Sequence, residues 1–290
     1  MAFNGTFEAP KIVPSAFGLL AVVKPENNID EDKWVRGFAQ EWETTPEAVT
    51  NYDATDTTSA SIATATPIYY DEIDPFFIEV DETLSTFSFS SIDRIARITR
   101  QLEGVTQKAI EAELWAGAIR IGRTHNNKAL TDPAATILNS GTALAPKKAL
   151  ALLEYSIGSA SPAGEQGVIH MTRDVAALLA SDSQLLFHDK DSEHLQTLTG
   201  TPVIVGSGYS GAGPTDAAGD TETPTAANKW MYATGKVRVF LGKPDVVNDS
   251  IAQGYAVSGN QNDVRLKAIR PAAVYFDTSI HLAVRVDLTA

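Results

Sequence analysis

Apolar side chains in residues 91–119 recur at steps of three and four, the spacing that places them on one face of an α-helix. Ser90 or Ser91 can cap the first turn, and Asp93 lies where a negative charge suits the helix dipole. Gly104 weakens the helix locally. The pattern predicts one helix about 40 Å long, with an apolar face made by Ile95, Ile98, Leu102, Val105, Ala109, Ala112 and Ala116.

The residues before this helix have no long period. Residues 1–43 hold short apolar clusters interrupted by prolines, which oppose a continuous helix, so we predict an extended arm. A short helix is predicted at 30–40 because Trp34, Phe38 and Trp42 recur at fourfold spacing. The arm has too little apolar surface to form a core alone, and we expect it to lie on another surface.

Residues 44–89 are rich in Thr, Ser and Ala and carry strand-like runs at 68–70, 76–78 and 83–89. Threonine and aromatic residues favour strands, so the segment is predicted to form a long two-stranded excursion with a polar tip. An isolated two-stranded hairpin is marginal in water. We therefore expect a partner surface to stabilise it.

The second half of the chain mixes short helices and strands. Helices are predicted at 146–155 and at 167–180, the second with Val168 and Met171 on one side. Predicted strands are 185–187, 202–205, 229–234, 236–241, 264–269, 272–276 and 280–287. Together these patterns predict an α+β fold.

The negative charge of the chain is concentrated in one segment. The 36 acidic residues outnumber the 23 basic ones, which gives a formal net charge of −13. Between Arg36 and Arg94 there are 12 acidic residues and neither lysine nor arginine, whereas the remaining 24 acidic residues nearly balance the bases. Two interpretations stay open: a solvated acidic surface, or a segment that meets a basic surface on another chain.

Composition excludes several functional classes. The 290 residues, 43% of them hydrophobic, can build one large domain or two. No apolar run approaches the ~20 residues that cross a membrane, and residues 1–10 lack the features of a signal peptide. Without cysteine there is no disulfide, thiolate metal site or cysteine nucleophile. The acidic balance argues against strong nucleic-acid binding.

A stretch rich in Gly, Ser and Thr at 206–227 is interpreted as a flexible surface loop. It opens with GSGYSG, which matches G-x-G-x-x-G, but a dinucleotide site needs a helix to begin at the third glycine. The residues after Gly211 cannot propagate a helix, so no cofactor site is predicted. The overlapping near match to a nucleophile elbow at Ser210 fails for the same reason, and His281 is the only histidine after it.

Histidines and acids at 188–194 form the densest ligand-like cluster of the sequence. Their spacing matches no known cation loop and Lys190 opposes cation binding, so a charged surface turn is preferred to a metal site. His125 and His170 stand alone and are interpreted as ordinary loop and helix residues. We therefore predict no catalytic, cofactor-binding or metal-binding residue, and a protein that is not an enzyme.

The order of these pieces resembles the major capsid proteins of tailed bacteriophages, whose fold is shared with encapsulin shells. The resemblance rests on the arm, the hairpin-like loop and the long helix ending in AIEAELWAG (109–117). It also rests on GVIHM (167–171), taken as the opening of a helix, and AIRPAAV (268–274). It covers nearly the whole chain in layout, with loose motifs and no catalytic signature.

The resemblance implies a fold with an N-terminal arm, an extended E-loop hairpin, a P-domain with a long spine helix and a mixed α/β A-domain. The corresponding segments are the arm at 1–43, the E-loop at 44–89, the spine helix at 90–119, the A-domain at 120–262 and the returning P-domain strands at 263–290.

The resemblance also implies a function. The chain would assemble into hexamers and pentamers of an icosahedral head in the bacterial host cytoplasm and then, in the virion, enclose double-stranded DNA without binding it strongly. A separate scaffolding protein is implied as a partner, because the arm begins almost at Met1 and leaves no place for a scaffolding segment before it. The resemblance also implies the portal as a partner, and no membrane is involved. An encapsulin-type nanocompartment shell is the alternative; a soluble enzyme or a phage tail component is a weaker one.

Subunit contacts are expected where the acidic segment meets bases of a neighbouring helix. Within one chain, 12 acids without a base would repel one another, so we predict that the segment lies across an adjacent subunit. The proposed contacts are Asp71, Glu72 and Asp74 with Arg94, Arg97 and Arg100.

Overall fold

The computed structural model describes residues 17–29, 40–43, 66–69, 76–84, 91–117, 129–160, 167–187, 195–216, 218, 221–248 and 264–290. The helices in these ranges are α1 (Leu19–Val22), α2 (Ser91–Ala116), α3 (Pro146–Ala160) and α4 (Arg173–Ser181), with a 3-10 turn at Leu138–Gly141. The strands are β1 (Glu26–Ile29), β2 (Gln40–Glu43), β3 (Thr66–Tyr69), β4 (Phe76–Leu84), β5 (Thr136–Ile137), β6 (Val168–Met171), β7 (Leu185–Phe187), β8 (Leu195–Thr197), β9 (Pro202–Val205), β10 (Asn228–Thr234), β11 (Val237–Gly242), β12 (Asp245–Asn248), β13 (Val264–Phe276) and β14 (His281–Asp287).

Helix α2 confirms the predicted long helix, but the second half of its buried face differs from the prediction. Ile98 and Leu102 are buried as expected, whereas Val105 is 41% exposed, and Ala112 and Ala116 are also exposed. The prediction followed a stripe of valine and alanine, whereas the buried face lies beside that stripe and combines larger apolar residues with polar ones. It comprises Thr106, Gln107, Ile110, Glu111, Leu114 and Trp115.

The helix ends at Ala116 rather than at 119 because Gly117 takes a left-handed conformation with φ of 68°. Its last carbonyls find partners in a returning segment. The backbone N–H groups of Leu130 and Thr131 donate to the carbonyls of Leu114 (2.9 Å) and Trp115 (3.1 Å). This return joins the helix to the chain that leads into β5.

A five-stranded sheet is built around β13, which is one continuous strand where two were predicted. β4 pairs along one edge of β13, and β11 and β12 follow one another along the other, with β1 beside β11. Pro271 lies where that edge passes from β11 to β12. There Gly242 approaches so closely that an added Cβ would lie 2.3 Å from Pro271 Cγ, and Arg270 Nε donates to the Gly242 carbonyl (3.0 Å).

A seven-stranded sheet with the order β5-β14-β10-β6-β9-β8-β7 forms the second layer. Its central strand β6 corrects the predicted helix at 167–180, because residues 168–171 are a strand and α4 begins only at Arg173. All four residues of β6 are buried, since Val168 packs into the core on the α2 side and Ile169 and Met171 into the core under α3 and α4. A strand buried on both faces reads as a continuous apolar run, which resembles a buried helix segment.

The two large sheets are continuous through two adjacent connections. The turn from β10 to β11 and the turn from β13 to β14 lie side by side, and Gly235 N–H reaches the carbonyls of Asp277 (3.1 Å) and Ile280 (3.0 Å). The Asp277 N–H donates in return to the backbone carbonyl of Lys236 (2.9 Å). An antiparallel pair of strands therefore runs from one sheet into the other.

The sheets divide the chain at other points than the predicted segments do. β11 and β12, from the segment 120–262, join β13 and β4, whereas β14, from the segment 263–290, pairs with β10. Within the predicted excursion at 44–89, β3 pairs with β2 in a two-stranded sheet of its own, while β4 belongs to the five-stranded sheet. The helix predicted at 30–40 lies outside the described residues except for Gln40, which begins β2.

Candidate functional site

A hydrogen-bonded junction between three parts of the described chain is centred on Glu111, a fully buried carboxylate of α2. Its Oε1 accepts from the Leu19 backbone N–H (3.0 Å) and from Gln107 Nε2 (2.9 Å). Its Oε2 accepts from Ser207 Oγ (3.1 Å) and from the Gly208 backbone N–H (2.9 Å). Four donors offset the cost of burying a carboxylate, and they come from the N-terminal segment, the helix itself and the residues after β9.

Glycine is required at two of the approaches to this junction. A Cβ on Gly208 would lie 2.3 Å from the Lys108 carbonyl oxygen of the α2 backbone. A Cβ on Gly18 would lie 1.3 Å from Gln107 Nε2 and 2.7 Å from Glu111 Oε1. The polar groups of the junction therefore meet only because two neighbouring residues lack side chains.

The residues after β9 pack against aromatic side chains and are not the flexible loop that the sequence indicated. Tyr209 is buried with its ring centroid 4.7 Å from that of Trp115. Trp115 Nε1 (3.3 Å) and the Tyr232 hydroxyl (3.0 Å) both donate to the Ala212 carbonyl. A glycine- and serine-rich composition indicated mobility, but the glycines of GSGYSG let the backbone approach the helix and rings closely.

The G-x-G-x-x-G match has a packing role in the described part of this loop. Gly206 leaves room for the Tyr209 ring, whose atoms would lie 2.6 Å from an added Cβ, and Gly211 has a positive φ of 80°. No helix follows in residues 206–216. Ser210 Oγ accepts from the Ala212 N–H (3.3 Å), while His281 Nε2 donates to the Leu130 carbonyl (3.0 Å).

His170 is a buried strand residue, which corrects its interpretation as an ordinary helix residue. Thr234 Oγ1 donates its single proton to the Gly235 carbonyl (3.0 Å), so His170 Nε2–H donates to Thr234 Oγ1 (2.9 Å). Nδ1 then accepts from the Tyr209 hydroxyl (2.9 Å). Burial, and then the charge of His281, lower the pKa of His170 from 6.5 to about 3. Burial, and then the Glu111 charge, raise the pKa of Tyr209 well above its ordinary value.

The predicted contact residues are only partly described, and the predicted contact between subunits stays a prediction. Asp71, Glu72 and Asp74 lie outside the described residues, as does the cluster at 188–194. Arg94 belongs to the first turn of α2, and Arg97 and Arg100 are half-buried on the same helix. In the ranges that can be described, no group of His, Asp and Glu is placed to hold a metal ion, and no helix is long and apolar enough to cross a membrane.

Part of the acidic segment finds its bases within the same chain, which corrects the premise that it would only repel itself. Glu79 on β4 forms an ion pair with Lys267 on β13 (2.8 Å), and Asp81 lies directly across from Lys267 in the strand register. The pairing partner of β4 is more than 180 residues away along the chain, so a local count of charges could not reveal it.

Sequence reasoning also missed Glu111. Its signal was available: three polar residues, Thr106, Gln107 and Glu111, occur at helical spacing and share one face of a predicted helix. The partners of Glu111 outside the helix, however, lie 92, 96 and 97 residues away, beyond the reach of local patterns.

Comparison with known proteins places this architecture. No family model and no curated protein matches the chain. Among solved structures it is similar to the capsid of an empty GTA particle (11% identity, 99% of this chain and 94% of that chain, TM-score 0.56). It is also similar to the capsid of a native GTA particle (11% identity, 99% of this chain and 95% of that chain, TM-score 0.54). A chain from Mycobacterium phage Adephagia is similar as well (12% identity, 99% of this chain and 94% of that chain, TM-score 0.50). At such low identity the likeness shows the fold, and the chain has the fold of the phage major capsid proteins.

Proposed function

We propose that this chain is the major capsid protein of a tailed bacteriophage, a structural protein that assembles into the icosahedral head around double-stranded DNA. The observation that carries the proposal is the match in fold over nearly the whole length of both chains to the capsid of the empty GTA particle, at 99% and 94% coverage.

The isolated two-stranded sheet supports assembly. β2 and β3 pair only with each other in the described chain, apart from both large sheets. A two-stranded hairpin alone is marginally stable in water, so a neighbouring subunit is the natural source of the missing contacts. In a closed shell every subunit supplies the same surface to the next one.

The parts of the fold follow from the same proposal. The seven-stranded sheet with α3 and α4 would form most of the A-domain, and α2 with the five-stranded sheet would form the P-domain. The segment 1–43 would be the arm and 44–89 the E-loop, with β4 at its base. The spine helix would be α2, within the predicted segment 90–119, and 263–290 would return through both sheets.

We retain the proposed contacts between the acidic segment and a neighbouring helix. Asp71, Glu72 and Asp74 would face Arg94, Arg97 and Arg100 of another copy, because the three arginines follow one another at threefold spacing on α2 and Lys267 of β13 already pairs with Glu79. A separate scaffolding protein and the portal would be the other partners, and the protein would act in the virion after assembly in the host cytoplasm, without enzymatic activity.

Electron microscopy of the purified full-length chain tests the proposal. We expect closed icosahedral particles of a size that accommodates a phage genome, and gene neighbours that encode a portal and a scaffold. Smaller closed shells, encoded beside a cargo enzyme, would instead indicate an encapsulin-type compartment. A monodisperse small oligomer that turns over a substrate would refute both.

A further inference from the structure

We infer that Glu111 is a clamp that fixes segment 17–23, a described part of the proposed N-terminal arm, on its own subunit, and that shell assembly depends on this clamp. The inference rests on the proposed capsid function and deepens it, because it names the internal contact that directs the arm. The occupant of the clamp is the segment 17–23 of the same chain.

The first step is that segment 17–23 is attached by few but specific contacts. Leu19 is fully buried in the core beside α2, and its backbone N–H donates to Glu111 Oε1 (3.0 Å). On the other side, the Val205 N–H donates to the Phe17 carbonyl (2.8 Å). The segment therefore lies in a seam between α2 and the end of β9.

The second step is that one carboxylate closes both sides of this seam. While Oε1 holds Leu19, Oε2 holds Ser207 and Gly208, the residues that follow β9. Gly18 fits against Gln107 and Glu111 with no space for a side chain. Because one carboxylate binds both sides of the seam, we expect the backbone position at Leu19 to depend on Glu111, in addition to the Val205–Phe17 hydrogen bond and the burial of the Leu19 side chain.

The third step is that the clamp requires a carboxylate. In Glu111→Gln, one oxygen becomes an NH2 group, which cannot accept a hydrogen bond. If the NH2 faces the N-terminal segment, the buried Leu19 N–H loses its acceptor; if it faces the loop, the Gly208 N–H loses its acceptor. Either orientation leaves a buried donor unpaired, which costs more than the hydrogen bond itself contributes.

Hydrogen exchange on the full-length chain tests the clamp directly. In Glu111→Gln we expect exchange at the Leu19 or Gly208 amide to rise by about tenfold or more, with faster proteolysis near Phe17. Glu103→Gln is the matched control, because Glu103 is an exposed residue of the same helix and the substitution removes the same charge. Unchanged exchange in Glu111→Gln would overturn the inference.

A second variant guards against general unfolding. Gly18→Val keeps the Glu111 carboxylate, and its side chain would overlap Gln107 and crowd the Oε1 that holds Leu19, while Oε2 faces the loop. The overlap should displace segment 17–23. We expect far-UV circular dichroism close to wild type, rapid exchange at Leu19 and slow exchange at Gly208. Exchange at Leu19 equal to wild type in this variant would contradict the clamp even if Glu111→Gln fails to fold.

Assembly of the same variants completes the test. We expect wild type and Glu103→Gln to form closed shells, and Gly18→Val and Glu111→Gln to form few or malformed ones. Normal shells from a variant whose Leu19 amide is released would overturn the dependence of assembly on the clamp. If wild type itself forms no shells, the proposed function fails, while the exchange data still decide whether Glu111 holds the segment.

Discussion

At the scale of residues, two buried polar side chains are satisfied by partners from distant parts of the chain. Glu111 accepts four hydrogen bonds, and His170 is held in one neutral tautomer between Tyr209 and Thr234. The two sites are adjacent because Tyr209 follows directly after Gly208. A buried histidine held neutral makes stability depend on pH.

The tautomer of His170 leads to a prediction about acid stability. Below pH 6.5 an unfolded histidine takes up a proton, but His170 in the fold does so only near its pKa of about 3. The contribution of His170 to the free energy of unfolding is therefore fully present above pH 6.5. It falls as the pH drops toward 3, by up to about 1.4 kcal/mol per pH unit. Denaturant titrations between pH 6.5 and 4.5 should show this slope. That range lies above the pH at which most carboxylates titrate.

The matched variant is His170→Gln, whose amide can still donate to Thr234 and accept from Tyr209. We expect a lower free energy of unfolding at pH 7.5 and a shallower dependence on pH between 6.5 and 4.5. Equal slopes in wild type and variant would show that His170 does not set the acid response.

The close approach of Gly208 to α2 gives a second residue-scale prediction. Gly208→Ala should lower the free energy of unfolding by about 1–3 kcal/mol, because the new methyl group overlaps the Lys108 carbonyl and forces the backbone to move. Gly158→Ala in α3 is the control: nothing lies within 4 Å of the added Cβ, so it should stabilise by about 0.5–1 kcal/mol. Thermal unfolding of both variants measures the contrast.

Calorimetric titration of wild type with NAD and ATP completes this comparison. We expect no binding, since the glycines serve packing and no helix follows them in the described loop. Micromolar affinity for either nucleotide would refute the packing interpretation.

At the scale of elements, the attachment of β4 to β13 combines backbone pairing with charge. Nine residue pairs join the two strands, and the Glu79–Lys267 ion pair lies across them with side chains 47% and 26% exposed. Exposed ion pairs contribute only ~0–1 kcal/mol each. The ion pair therefore adds little to the free energy of unfolding, and its main effect is to favour the observed register between β4 and β13.

Charge reversals test that element-scale argument. Glu79→Lys and Lys267→Glu should each lower the free energy of unfolding by about 0.5–1 kcal/mol, because each places like charges side by side. The double variant should recover only the part of the loss that comes from the 79–267 pair, because the new carboxylate at position 267 still lies across from Asp81, and 1 M salt should shrink all the differences. Additive effects in the double-mutant cycle would show that the two side chains do not interact.

The sequence could predict those elements whose pattern lies within one segment of the chain, and it could not predict contacts between distant segments. Periodicity within one segment predicted α2, and strands 185–187 and 202–205 were predicted at the bounds that the structure has. The strand β6 was mistaken for a helix because Val168 and Met171 are in step, at helical spacing, with the apolar face of α4 that continues from Val175. The Glu111 junction and the pairing of β4 with β13 depend on residues that meet only after folding, and no local pattern contains them.

At the scale of the whole molecule, two sheets and α2 enclose one core while α3 and α4 cover a second. The hairpin of β2 and β3 lies outside both sheets. The acidic residues that follow β3 are those for which a contact with another subunit is proposed.

Reversing Asp71, Glu72 and Asp74 to Lys together should hinder shell assembly and leave the fold of the subunit intact. Each lost pair contributes little, but repetition around a closed shell multiplies the effect. The control reverses Glu103, Asp182 and Asp245, three exposed acids elsewhere on the described surface. Light scattering during assembly at several salt concentrations measures both variants, and normal assembly of the first with unchanged salt dependence would identify the segment as a solvated surface.

The paired connections between the two sheets have a mechanical consequence. Because β10 continues into β11 beside the place where β13 continues into β14, a pull on either sheet is shared by two covalent links acting in parallel. The sheets cannot slide past each other without breaking the backbone hydrogen bonds at Gly235 and Asp277. A load applied to one sheet is therefore passed to the other without shear, which would suit a subunit of the proposed shell.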